Sequence, residues 1–550
     1  MTAIDWALFV GFLAYVIWDG VRKRRRDDDP DGYFLAGRSV PWWAMGISIL
    51  ATQASAITLI GTTGLGWQQG MRFLQFYLAL PIAMLILIFS IVPLYHRLRV
   101  TTAYEYLGQR FDHRTRLLAA TLFLVPRCLS LGVVIYTPSI ILGKVLTIPS
   151  WAIIVGTGSI AVLYTSLGGL RAVISTDTKQ FAIMIVGLLI ALGALLSRLP
   201  ADIDLGSALR LASVTGHMTI ADWRWDPSEK YTMWSSLIGG LFLFLSYFGT
   251  DQSQVQRYLA GRSLRDKQGA LLLNAVCKLP FQALVLLCGV LLFVFYVFAP
   301  MPPTFFPSSD VASPLSGPPA VDALNRLDSA SVAVAEAGRA LLQADPADTP
   351  ERARDLQQRL TARATIRAEI APLAGEENYV FPHFVLHYLP MGLVGLLLAA
   401  IFAAALSSVD SELNSMTTVT LVDIAGRFTG PLSGHRLVTV SALVTLLIGG
   451  LATTFALSVS RLGSVIEEVN RIGSYVYGSL LGVFVLSLLP KVEAFGAFWG
   501  LMTGMIVVAF AARTDGISFL YLNTVGTLTV VAVGSMLSWI NGARSRATAR

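Results

Sequence analysis

Charged residues are scarce in this sequence, and that scarcity limits what the chain can be. Only 14% of the 550 residues are charged, whereas 54% are hydrophobic. An ordinary soluble chain carries roughly a quarter charged residues. Apolar side chains in this excess cannot all be buried in water-soluble cores, so we expect lipid to be the solvent for much of the chain.

Cysteine and histidine are also few, and their positions argue against several kinds of chemistry. The three cysteines, Cys128, Cys277 and Cys288, all lie inside apolar segments, so we expect neither a disulfide framework nor a metal cluster. Of the six histidines, His383 and His387 have the spacing of metal ligands, but no acidic partner completes a zinc signature. Without a metal cluster or a nucleophile–base pair, we do not expect an enzyme.

The net charge of +7 is spread over short loops and does not form a nucleic-acid-binding patch. Basic runs at 22–26, 96–99, 257–267, 427–436 and 544–550 fall in alternate loops. Because basic loops face the cytoplasm, they predict an outside N-terminus and a cytoplasmic C-terminus. We expect the membrane to be the bacterial inner (plasma) membrane. The first apolar segment precedes its basic run, unlike a signal peptide, so we interpret it as a retained helix.

Apolar segments long enough to span a bilayer recur from end to end and predict an all-α polytopic membrane protein. We predict about 13 transmembrane helices, at 4–20, 42–64, 73–95, 114–143, 150–168, 177–197, 232–250, 268–298, 382–415, 436–458, 466–489, 493–512 and 518–540. An odd number of spans places the two termini on opposite sides, as the basic loops also predict.

The stretch 299–381 is the exception to the short connections. Two Ala-, Leu- and Arg-rich segments, around 322–343 and 350–370, predict an external helical insert. Three interpretations of this insert stay open, namely a lid, a surface that docks a partner, and an addition without a role in transport. The predicted organisation is an N-terminal helix and basic loop (1–40), a first inverted repeat of core helices 1–5 (41–197), an external loop (198–231), core helices 6–7 (232–298), the insert (299–381), core helices 8–10 (382–489), and C-terminal helices with a basic tail (490–550).

Two predicted spans contain a polar run that does not favour a continuous membrane helix. The first contains the small and polar run 51–58, and the second ends in the polar run 247–254. Counted from the second span, these are core helices one and six, the correspondence expected of two inverted five-helix repeats. Discontinuous helices at matching positions indicate a transporter's binding site, and their free carbonyls suit a hard cation. Close packing through small residues is the alternative explanation.

The ninth span contains the polar run 403–415, which a helix facing only lipid would not hold. Serine hydroxyls often bond to a carbonyl one turn earlier in their own helix, which would explain one or two of these residues. It does not explain Asp410, because a carboxylate at the centre of a membrane helix costs roughly 2.5–3.5 kcal/mol. The run therefore indicates a functional polar site.

Five groups of motifs occur in a fixed order over most of the chain. They are FLAGRS at 34–39 with PWW at 41–43, TAYEYL at 102–107 with RF at 110–111, GGLRAV at 168–173, QVQRYL at 254–259, and SS at 407–408 followed by LNS at 413–415. Together they resemble the sodium/solute symporter family, which includes sodium–glucose, sodium–proline, iodide and sialic acid transporters. The resemblance implies a LeuT-type fold of two inverted five-helix repeats with extra flanking helices.

The resemblance places the family's main sodium site on the backbone carbonyls of Ala51, Ala54 and Ala404 and on the hydroxyls of Ser407 and Ser408. The residues themselves agree with it, since the broken helix offers carbonyls and the polar run offers hydroxyls. All of these ligands are neutral, so binding should be weak and reversible, as turnover requires. Na+ is thus the expected coupling ion and the only expected metal.

A second sodium site, present in some family members, matches Asp177, Ser407, Asp410 and Ser411. Asp410 departs from the family, which has a serine ligand at this position. With two carboxylates the site would bind sodium more tightly, or one carboxylate would carry a proton. A purely structural role for Asp177, as a cytoplasmic cap, is also open.

The resemblance also implies where the solute lies. The family's sugar-contacting positions fall on Thr58, on Gln75 or Tyr77, and on Asp251, Lys278 and Asn470. Arg127, in the third core helix, is a further candidate, and because guanidinium groups suit carboxylates, it would favour an organic acid or a sialic acid. The alternative for Arg127 is an internal salt bridge, for instance with Asp251 or Glu467.

These features predict a secondary active transporter that moves a sugar, a sialic acid or an organic acid together with sodium by alternating access. A proton-coupled symporter is the main alternative. A channel, which would present a continuous polar pore, and a membrane-embedded enzyme are weaker alternatives. The expected partners are the small-molecule solute and the lipid bilayer, without nucleic acid. No motif encodes the solute's identity, the sodium stoichiometry or the oligomeric state.

Overall fold

The computed structural model describes residues 1–22, 30–145, 148–167, 169–305, 318–371, 375–430, 432–459, 465–514 and 516–548, and no named strand occurs within these ranges. Most of the predicted basic run 22–26, the first glycine of the motif at 168–173, and parts of the predicted insert (306–317 and 372–374) lie outside the described residues.

The described residues form a succession of helices. In chain order they are α1 (Ala3–Arg22), α2 (Pro30–Leu35), α3 (Trp42–Gln53), α4 (Thr63–Gln69), α5 (Leu74–Tyr77), α6 (Ala79–Phe89), α7 (Ile91–Leu98), α8 (Ala103–Arg110), α9 (His113–Val145), α10 (Ser150–Leu167), α11 (Leu170–Arg198), α12 (Leu205–Val214), α13 (Gly240–Gly249), α14 (Gln252–Leu259), α15 (Leu264–Phe298), α16 (Pro318–Gln343), α17 (Thr349–Ile370), α18 (Glu377–Tyr388), α19 (Leu393–Val419), α20 (Gly426–Thr429), α21 (Gly434–Ala456), α22 (Val465–Ser474), α23 (Tyr477–Ser487), α24 (Ala494–Ala511) and α25 (Phe519–Thr548). Short π-helical turns at Thr58–Thr62, Ser235–Gly239 and Thr420–Ala425 precede α4, α13 and α20.

Eight of these helical stretches are long and apolar enough to cross a membrane, or nine if α22 and α23, bent by 41°, count as one span. This confirms the prediction of an all-α polytopic membrane protein. One predicted span, 382–415, needs a correction, since α18 and α19 are separate helices. Pro390 cannot donate a helical hydrogen bond, and Gly392 has a φ of 86°, so the chain turns between them.

Helix α19, which carries the polar run, lies at the centre of the bundle. In its most apolar window 89% of the residues are buried inside the protein, against 28% for α21 and 33% for α24. It packs on α3, α9, α11 and α14, so its polar groups face other helices and not lipid. Asp5 of α1 accepts hydrogen bonds from the N–H groups of Gly392 (2.8 Å) and Gly395 (3.0 Å), and so caps the start of α19.

The described part of the predicted insert consists of α16 and α17, which pack on each other. Arg363 donates to the Tyr296 carbonyl at the C-terminal end of α15, at 2.8 Å. Arg367 forms a two-pronged salt bridge with Glu376 at 2.8 and 2.7 Å. Both arginines are buried, so charge-assisted hydrogen bonds attach the insert to α15 and to the start of α18.

Candidate functional site

The first broken helix is interrupted at Ala54 and Ser55, within the run that the sequence marks as a poor helix. Helix α3 ends at Gln53, and Ala54 has a non-helical ψ of 76°. The Ser55 hydroxyl accepts a hydrogen bond from the Ile57 N–H at 3.1 Å, which is a local alternative to helical bonding. The interruption leaves carbonyl oxygens at the end of α3 for other partners.

Two serines of α19 face those carbonyls. Ser407 Oγ donates to the Ala51 carbonyl at 3.2 Å, and Ser408 Oγ donates to the Thr52 carbonyl at 3.0 Å. Both hydroxyls also lie near the Ala404 carbonyl, at 3.1 and 3.4 Å. The structure thus brings together four of the five residues predicted for the main sodium site and adds Thr52. Ala54, the fifth, lies at the break and makes none of these hydrogen bonds.

The second broken helix is interrupted between α13 and α14. Asp251 caps α14 by accepting hydrogen bonds from the N–H and hydroxyl of Ser253, at 2.9 and 2.7 Å. The carbonyls freed at this break are bound by tyrosine hydroxyls, since Tyr95 donates to Gly249 at 2.8 Å and Tyr104 donates to Thr250 at 2.9 Å. This break is therefore held by large buried side chains.

Arg127 of α9 lies in a buried salt-bridge network, which we call the Arg127 cluster (Arg127, Asp251 and Glu412). Its guanidinium donates to Asp251 Oδ2, to Glu412 Oε1 at 3.0 Å and to the Tyr477 hydroxyl at 2.7 Å. Of the two partners suggested by the sequence, Asp251 contacts Arg127, whereas Glu467 is paired with Lys230 at 2.6 Å. No role for Glu412 was predicted from the sequence, although its position as a second carboxylate in the polar run 403–415 was a signal of a functional group.

A second buried group, which we call the Arg257 cluster (Arg257, Asp177 and Asp410), joins α14, α11 and α19. Arg257 interacts electrostatically with both carboxylates. Among the described residues, none accepts a hydrogen bond from its guanidinium, and neither carboxylate oxygen of Asp410 has a hydrogen-bond partner. One oxygen of Asp177 accepts from the Ser48 hydroxyl, and its other oxygen has no partner in the same ranges.

The hydroxyls around the Arg257 cluster connect it to the first broken helix. Ser411 Oγ, one turn after Ser407 on α19, lies 2.8 Å from Thr52 Oγ1. The structure thus places two of the predicted second-site residues, Asp177 and Ser411, against the C-terminal half of α3. Asp410 and Arg257 interact with Asp177. Arg257 belongs to the motif QVQRYL at 254–259, which contributed to the family resemblance but predicted no role for this arginine.

Lys278 of α15 is a buried cation beside aromatic rings. Its Nζ lies 5.3 Å from the centre of the Tyr77 ring and 5.4 Å from that of Phe281. No described residue accepts a hydrogen bond from this ammonium group. One turn before and after it, Asn274 and Gln282 are also buried and carry amide atoms without a partner in the described part of the chain. This face of α15 is rich in polar groups that a bound molecule could use.

The other predicted solute residues have different environments. Both polar atoms of the Gln75 amide bind the loop 198–231, at 2.7 Å from the Tyr231 carbonyl and 3.1 Å from the Asp222 N–H. Thr58 Oγ1 donates to the Gln53 carbonyl across the first break, at 3.3 Å. Asn470 of α22 is partly exposed. Gln75 thus anchors the loop above the site.

Tyr77 and Tyr247 connect Lys278 to the Arg127 cluster. Tyr77, next to Lys278, interacts electrostatically with Tyr247, and the Tyr247 ring lies 5.4 Å from the guanidinium of Arg127. The two tyrosines therefore lie between a cation without a hydrogen-bond acceptor in the described chain and a cation with two carboxylates. A negatively charged ligand in this region would be attracted to Lys278 more than to Arg127.

Two titratable groups of the loop 198–231 each have a single charge state at neutral pH. Hydrogen bonds from Arg224 lower the pKa of Asp222 to about 2. Burial lowers the pKa of His217 to about 4. Asp222 is therefore ionised and His217 is neutral around pH 7.

Comparison with known proteins identifies the relatives of this chain. The human sodium/iodide cotransporter is 27% identical over 500 residues, covering 90% of this chain and 67% of that protein. The human sodium-coupled monocarboxylate transporter 1 is 26% identical, covering 92% and 72%. The sodium/sialic acid symporter of Proteus mirabilis is 25% identical, covering 97% and 94%. All three of these relatives are transporters.

Solved structures share the fold, and a family model covers most of the chain. A substrate-bound, outward-open Na+-coupled sialic acid symporter superposes with a TM-score of 0.78 at 24% identity, covering 98% of both chains. Mhp1, a nucleobase-cation-symport-1 family transporter with a LeuT-like fold, gives 0.51 at 12% identity, covering 94% and 96%. The model of the sodium:solute symporter family matches residues 33–313 and 359–504. The chain therefore belongs to the sodium:solute symporter family.

Proposed function

We propose that the solute of this sodium-coupled symporter is a small organic anion, such as a monocarboxylate or a sialic acid. The observation that carries the proposal is Lys278, a fully buried ammonium group for which the described residues supply no hydrogen-bond acceptor. A buried charge without a partner is strongly unfavourable. A carboxylate of the solute would supply the missing partner, and Tyr77 would pack against it.

The names of the relatives support an anionic solute. They name iodide, monocarboxylates and sialic acid, all of which are anions at neutral pH. The pairing of Arg127 with Asp251 and Glu412 changes the basis of this assignment, because the sequence suggested Arg127 as the group that binds the carboxylate. Two carboxylates already contact Arg127 and more than balance its charge, whereas Lys278 has no such partner in the described chain, so we assign that role to Lys278.

We assign the main sodium site to the carbonyls of Ala51, Ala54 and Ala404 and the hydroxyls of Ser407 and Ser408. Four of these residues already lie within hydrogen-bond distance of one another. When sodium binds, the serine hydroxyls would turn their O–H groups away from the carbonyls and direct a lone pair toward the ion. All five ligands are neutral oxygens, which suit a hard monovalent cation that must be released again.

Charge balance favours a second cation. One sodium ion and one monoanion cross with no net charge, so the membrane potential contributes nothing, and a tenfold sodium gradient supports about tenfold accumulation. A second sodium adds its own gradient and about 2.3 kcal/mol per 100 mV, which raises accumulation to roughly several thousand-fold. We place this second ion at Asp177, Ser407, Asp410 and Ser411, where two carboxylates and Arg257 leave one negative charge to balance.

Proton coupling is the second candidate function. It is favoured by Asp410, because both of its oxygens are buried without a hydrogen-bond partner in the described chain. A proton on Asp410 would remove the surplus negative charge of the Arg257 cluster as well as a sodium ion would. The two possibilities differ in whether solute accumulation follows the sodium gradient or the proton gradient.

The membrane arrangement is also part of the proposal. We place thirteen transmembrane helices, two inverted five-helix repeats and extra flanking helices in a bacterial inner membrane, with the N-terminus outside. The eight long apolar spans, the bent pair of α22 and α23, and the shorter apolar helices Ala3–Val16, Ser150–Leu163 and Ser235–Gly249 support twelve of these spans. The remaining span, 42–64, begins with α3 (Trp42–Gln53). The alternating basic loops support the orientation. We expect no nucleic-acid partner and no enzymatic activity.

Uptake into proteoliposomes tests the function. Monocarboxylates, sialic acid, iodide and a neutral sugar should be compared with and without an inward sodium gradient, and we expect uptake of an organic acid only with sodium.

Ser408→Ala should raise the sodium concentration for half-maximal uptake about tenfold, equivalent to ~1.4 kcal/mol, since one of a few sodium ligands is lost. Lys278→Gln should raise the KM for the acid and leave the sodium dependence unchanged. Sodium-independent uptake would contradict the sodium claim, and preferred uptake of a neutral sugar would contradict the anion claim.

A further inference from the structure

A cavity of about 470 Å³ lies beyond the C-terminal end of α19, away from the proposed sodium and solute sites. Its walls come from α2, the start of α9, the π-helical turn Thr420–Ala425, α20 and α21. Sites for small molecules have volumes of roughly 300–1,000 Å³. Asp423, which lines the cavity, follows Ser407 by 16 residues, or about 24 Å along a helix. The cavity is therefore a separate place in the fold.

Much of the wall is apolar, and it adjoins a surface suited to lipid. Phe34, Leu421 and Leu437 contribute apolar side chains. Leu437 belongs to α21, of whose most apolar window only 28% is buried inside the protein. Phe428, next to the cavity-lining Arg427, is 81% exposed. In a membrane, such exposed apolar side chains face lipid, so an acyl chain can lie beside the cavity.

Three basic residues line the cavity. His113 and Arg116 belong to the first turn of α9, and Arg427 belongs to α20. His113 interacts electrostatically with both arginines, so the three groups are close to one another. Arg116 is already bonded, because its Nε donates to Asp423 Oδ1 at 2.7 Å and its Nη2 donates to the Val422 carbonyl at 2.9 Å. The exposed Arg427 is therefore the group best suited to a phosphate.

Asp423 adds an unsatisfied acceptor to the same cavity. It is 1% exposed and lines the cavity wall. Its Oδ1 accepts from the Thr102 hydroxyl at 2.9 Å and from Arg116. Its Oδ2 is buried and has no hydrogen-bond partner among the described residues. A buried carboxylate oxygen without a donor is unfavourable, so a ligand that carries a positively charged donor would stabilise it.

We propose that this cavity binds the headgroup of an aminophospholipid, a phosphate ester that carries a primary ammonium group. The ammonium would donate to Asp423 Oδ2, and the phosphate would lie against Arg427 and His113. Basic pockets between membrane helices are known to hold lipid headgroups. An anionic lipid without an amine would leave Asp423 Oδ2 without a charged donor, and a quaternary ammonium has no N–H to donate.

The bound lipid would connect two helices that are important for transport. Asp423 lies in the turn that continues α19, the helix of the proposed sodium ligands, and Arg116 and His113 lie at the start of α9. A headgroup that contacts both helices stabilises their arrangement, since a ligand of the folded state alone raises its stability. This effect on transport rests on the proposed function, whereas the lipid site does not.

Native mass spectrometry of the detergent-purified full-length protein tests the site. Phosphatidylethanolamine, phosphatidylcholine and phosphatidylglycerol with the same acyl chains should be titrated separately. We expect phosphatidylethanolamine to bind about tenfold more tightly than phosphatidylcholine, the effect of one charge-assisted hydrogen bond. Equal binding of these two lipids, or tightest binding of phosphatidylglycerol, would overturn the proposal. Free phosphoethanolamine should not compete at similar concentration, and competition would assign the cavity to a soluble ligand instead.

Three variants separate the two parts of the headgroup from general surface charge. Asp423→Asn keeps an acceptor for Thr102 and Arg116 but replaces Oδ2 with a donor, so the preference for phosphatidylethanolamine should disappear. Arg427→Gln should weaken phosphatidylethanolamine and phosphatidylcholine alike and keep their ratio. Arg436→Gln is the control, since Arg436 is exposed on the same basic run and does not line the cavity. If Arg436→Gln weakens binding as much as Arg427→Gln, surface charge explains the binding and the proposal is wrong.

The proposal stays falsifiable if Asp423→Asn does not fold, because the unmodified protein and Arg427→Gln still report the lipid preference and the phosphate contact. Uptake in proteoliposomes then tests the link to transport. Vesicles should contain phosphatidylethanolamine or phosphatidylcholine with the same fraction of phosphatidylglycerol, and we expect faster sodium-driven uptake with phosphatidylethanolamine. Equal rates would overturn this link. Failure of every solute to enter in both compositions would contradict the proposed function, and the binding result would still decide the lipid site.

Discussion

The Arg127 cluster and the Arg257 cluster are both buried, lie on opposite sides of α19 and differ in how their charged groups are bonded. Each contains one arginine and two carboxylates, and each takes one carboxylate from α19. In the Arg127 cluster the guanidinium contacts both carboxylates and a tyrosine. In the Arg257 cluster the guanidinium donates no hydrogen bond to any described residue, and Asp410 accepts none. We call the Arg127 cluster closed, because its arginine contacts both carboxylates directly. We call the Arg257 cluster open, because its arginine donates no hydrogen bond within the described chain.

From this difference we propose that the Arg127 cluster holds helices together and that the Arg257 cluster exchanges an ion. Direct charge-assisted hydrogen bonds fix geometry and are strong in a low-dielectric interior. Carboxylate oxygens without protein partners can coordinate an ion that enters and leaves. The two helix breaks show the same contrast, because tyrosines bind the carbonyls of the second break, whereas small serine hydroxyls bind those of the first.

The largest expected effect comes from removing the arginine of the closed cluster. Arg127→Met leaves two buried carboxylates without their partner, and breaking a buried ion pair destabilises proteins by about 3–5 kcal/mol. Arg257→Met loses no hydrogen bond within the described chain, so it should destabilise less and change sodium affinity more. Thermal unfolding of the detergent-purified proteins measures the first effect, and sodium titration of uptake measures the second.

The double variant Arg127→Met with Glu412→Gln is the matched control for that comparison. It removes one negative charge together with the positive charge, so it should recover part of the lost Tm. If Arg257→Met lowers the Tm as much as Arg127→Met, the distinction between a closed and an open cluster is wrong. Arg127→Met should also impair transport of every solute, because its role in this structure is to connect helices.

Features set by local composition could be predicted from the sequence. The two helix breaks lie in the small and polar runs at 51–58 and 247–254, because such residues support a continuous membrane helix poorly. The resemblance assigned Ser407 and Ser408 to the carbonyls of the first break, and the structure places them within hydrogen-bond distance of Ala51 and Thr52. Their role as sodium ligands stays a prediction.

Pairings between distant parts of the chain could not be predicted in the same way. Arg127 and Glu412 are 285 residues apart in sequence, and composition identified each only as a charge in an apolar helix. The sequence limited the partners of Arg127 to two suggestions, of which Asp251 is in contact. The binding of Gln75 to the loop 198–231 depends on how that loop packs on the helices, and no local sequence pattern predicts it.

A smaller effect is expected at the open cluster when Asp410 is replaced. Asp410→Asn removes one negative charge next to the proposed second cation, so sodium affinity should fall about tenfold, equivalent to ~1.4 kcal/mol. If the second cation is sodium, the Hill coefficient for sodium should also fall from about two toward one. Sodium-dependent uptake at several external sodium concentrations measures both quantities.

Ser415→Ala is the control on the same helix. The Ser415 hydroxyl donates to the backbone carbonyl of Glu412 at 2.9 Å, so its removal leaves both clusters intact and the sodium dependence unchanged. An Asp410→Asn protein with unaltered sodium affinity but a changed dependence on the proton gradient would assign the open cluster to a proton. An Asp410→Asn protein that is normal in both respects would mean that this cluster has no part in coupling.

The smallest effect is expected outside both clusters, at Asp222 in the loop 198–231. Hydrogen bonds from Arg224 lower the pKa of Asp222 from 3.8 to about 2, so the stability that this pair gives the loop is fully present above pH 3.8 and is lost only as the pH falls toward 2. Asp222→Asn should therefore leave the pH profile of uptake unchanged between about pH 5 and pH 8. If Asp222→Asn changes the profile in this range, the pH dependence of transport arises in the loop 198–231.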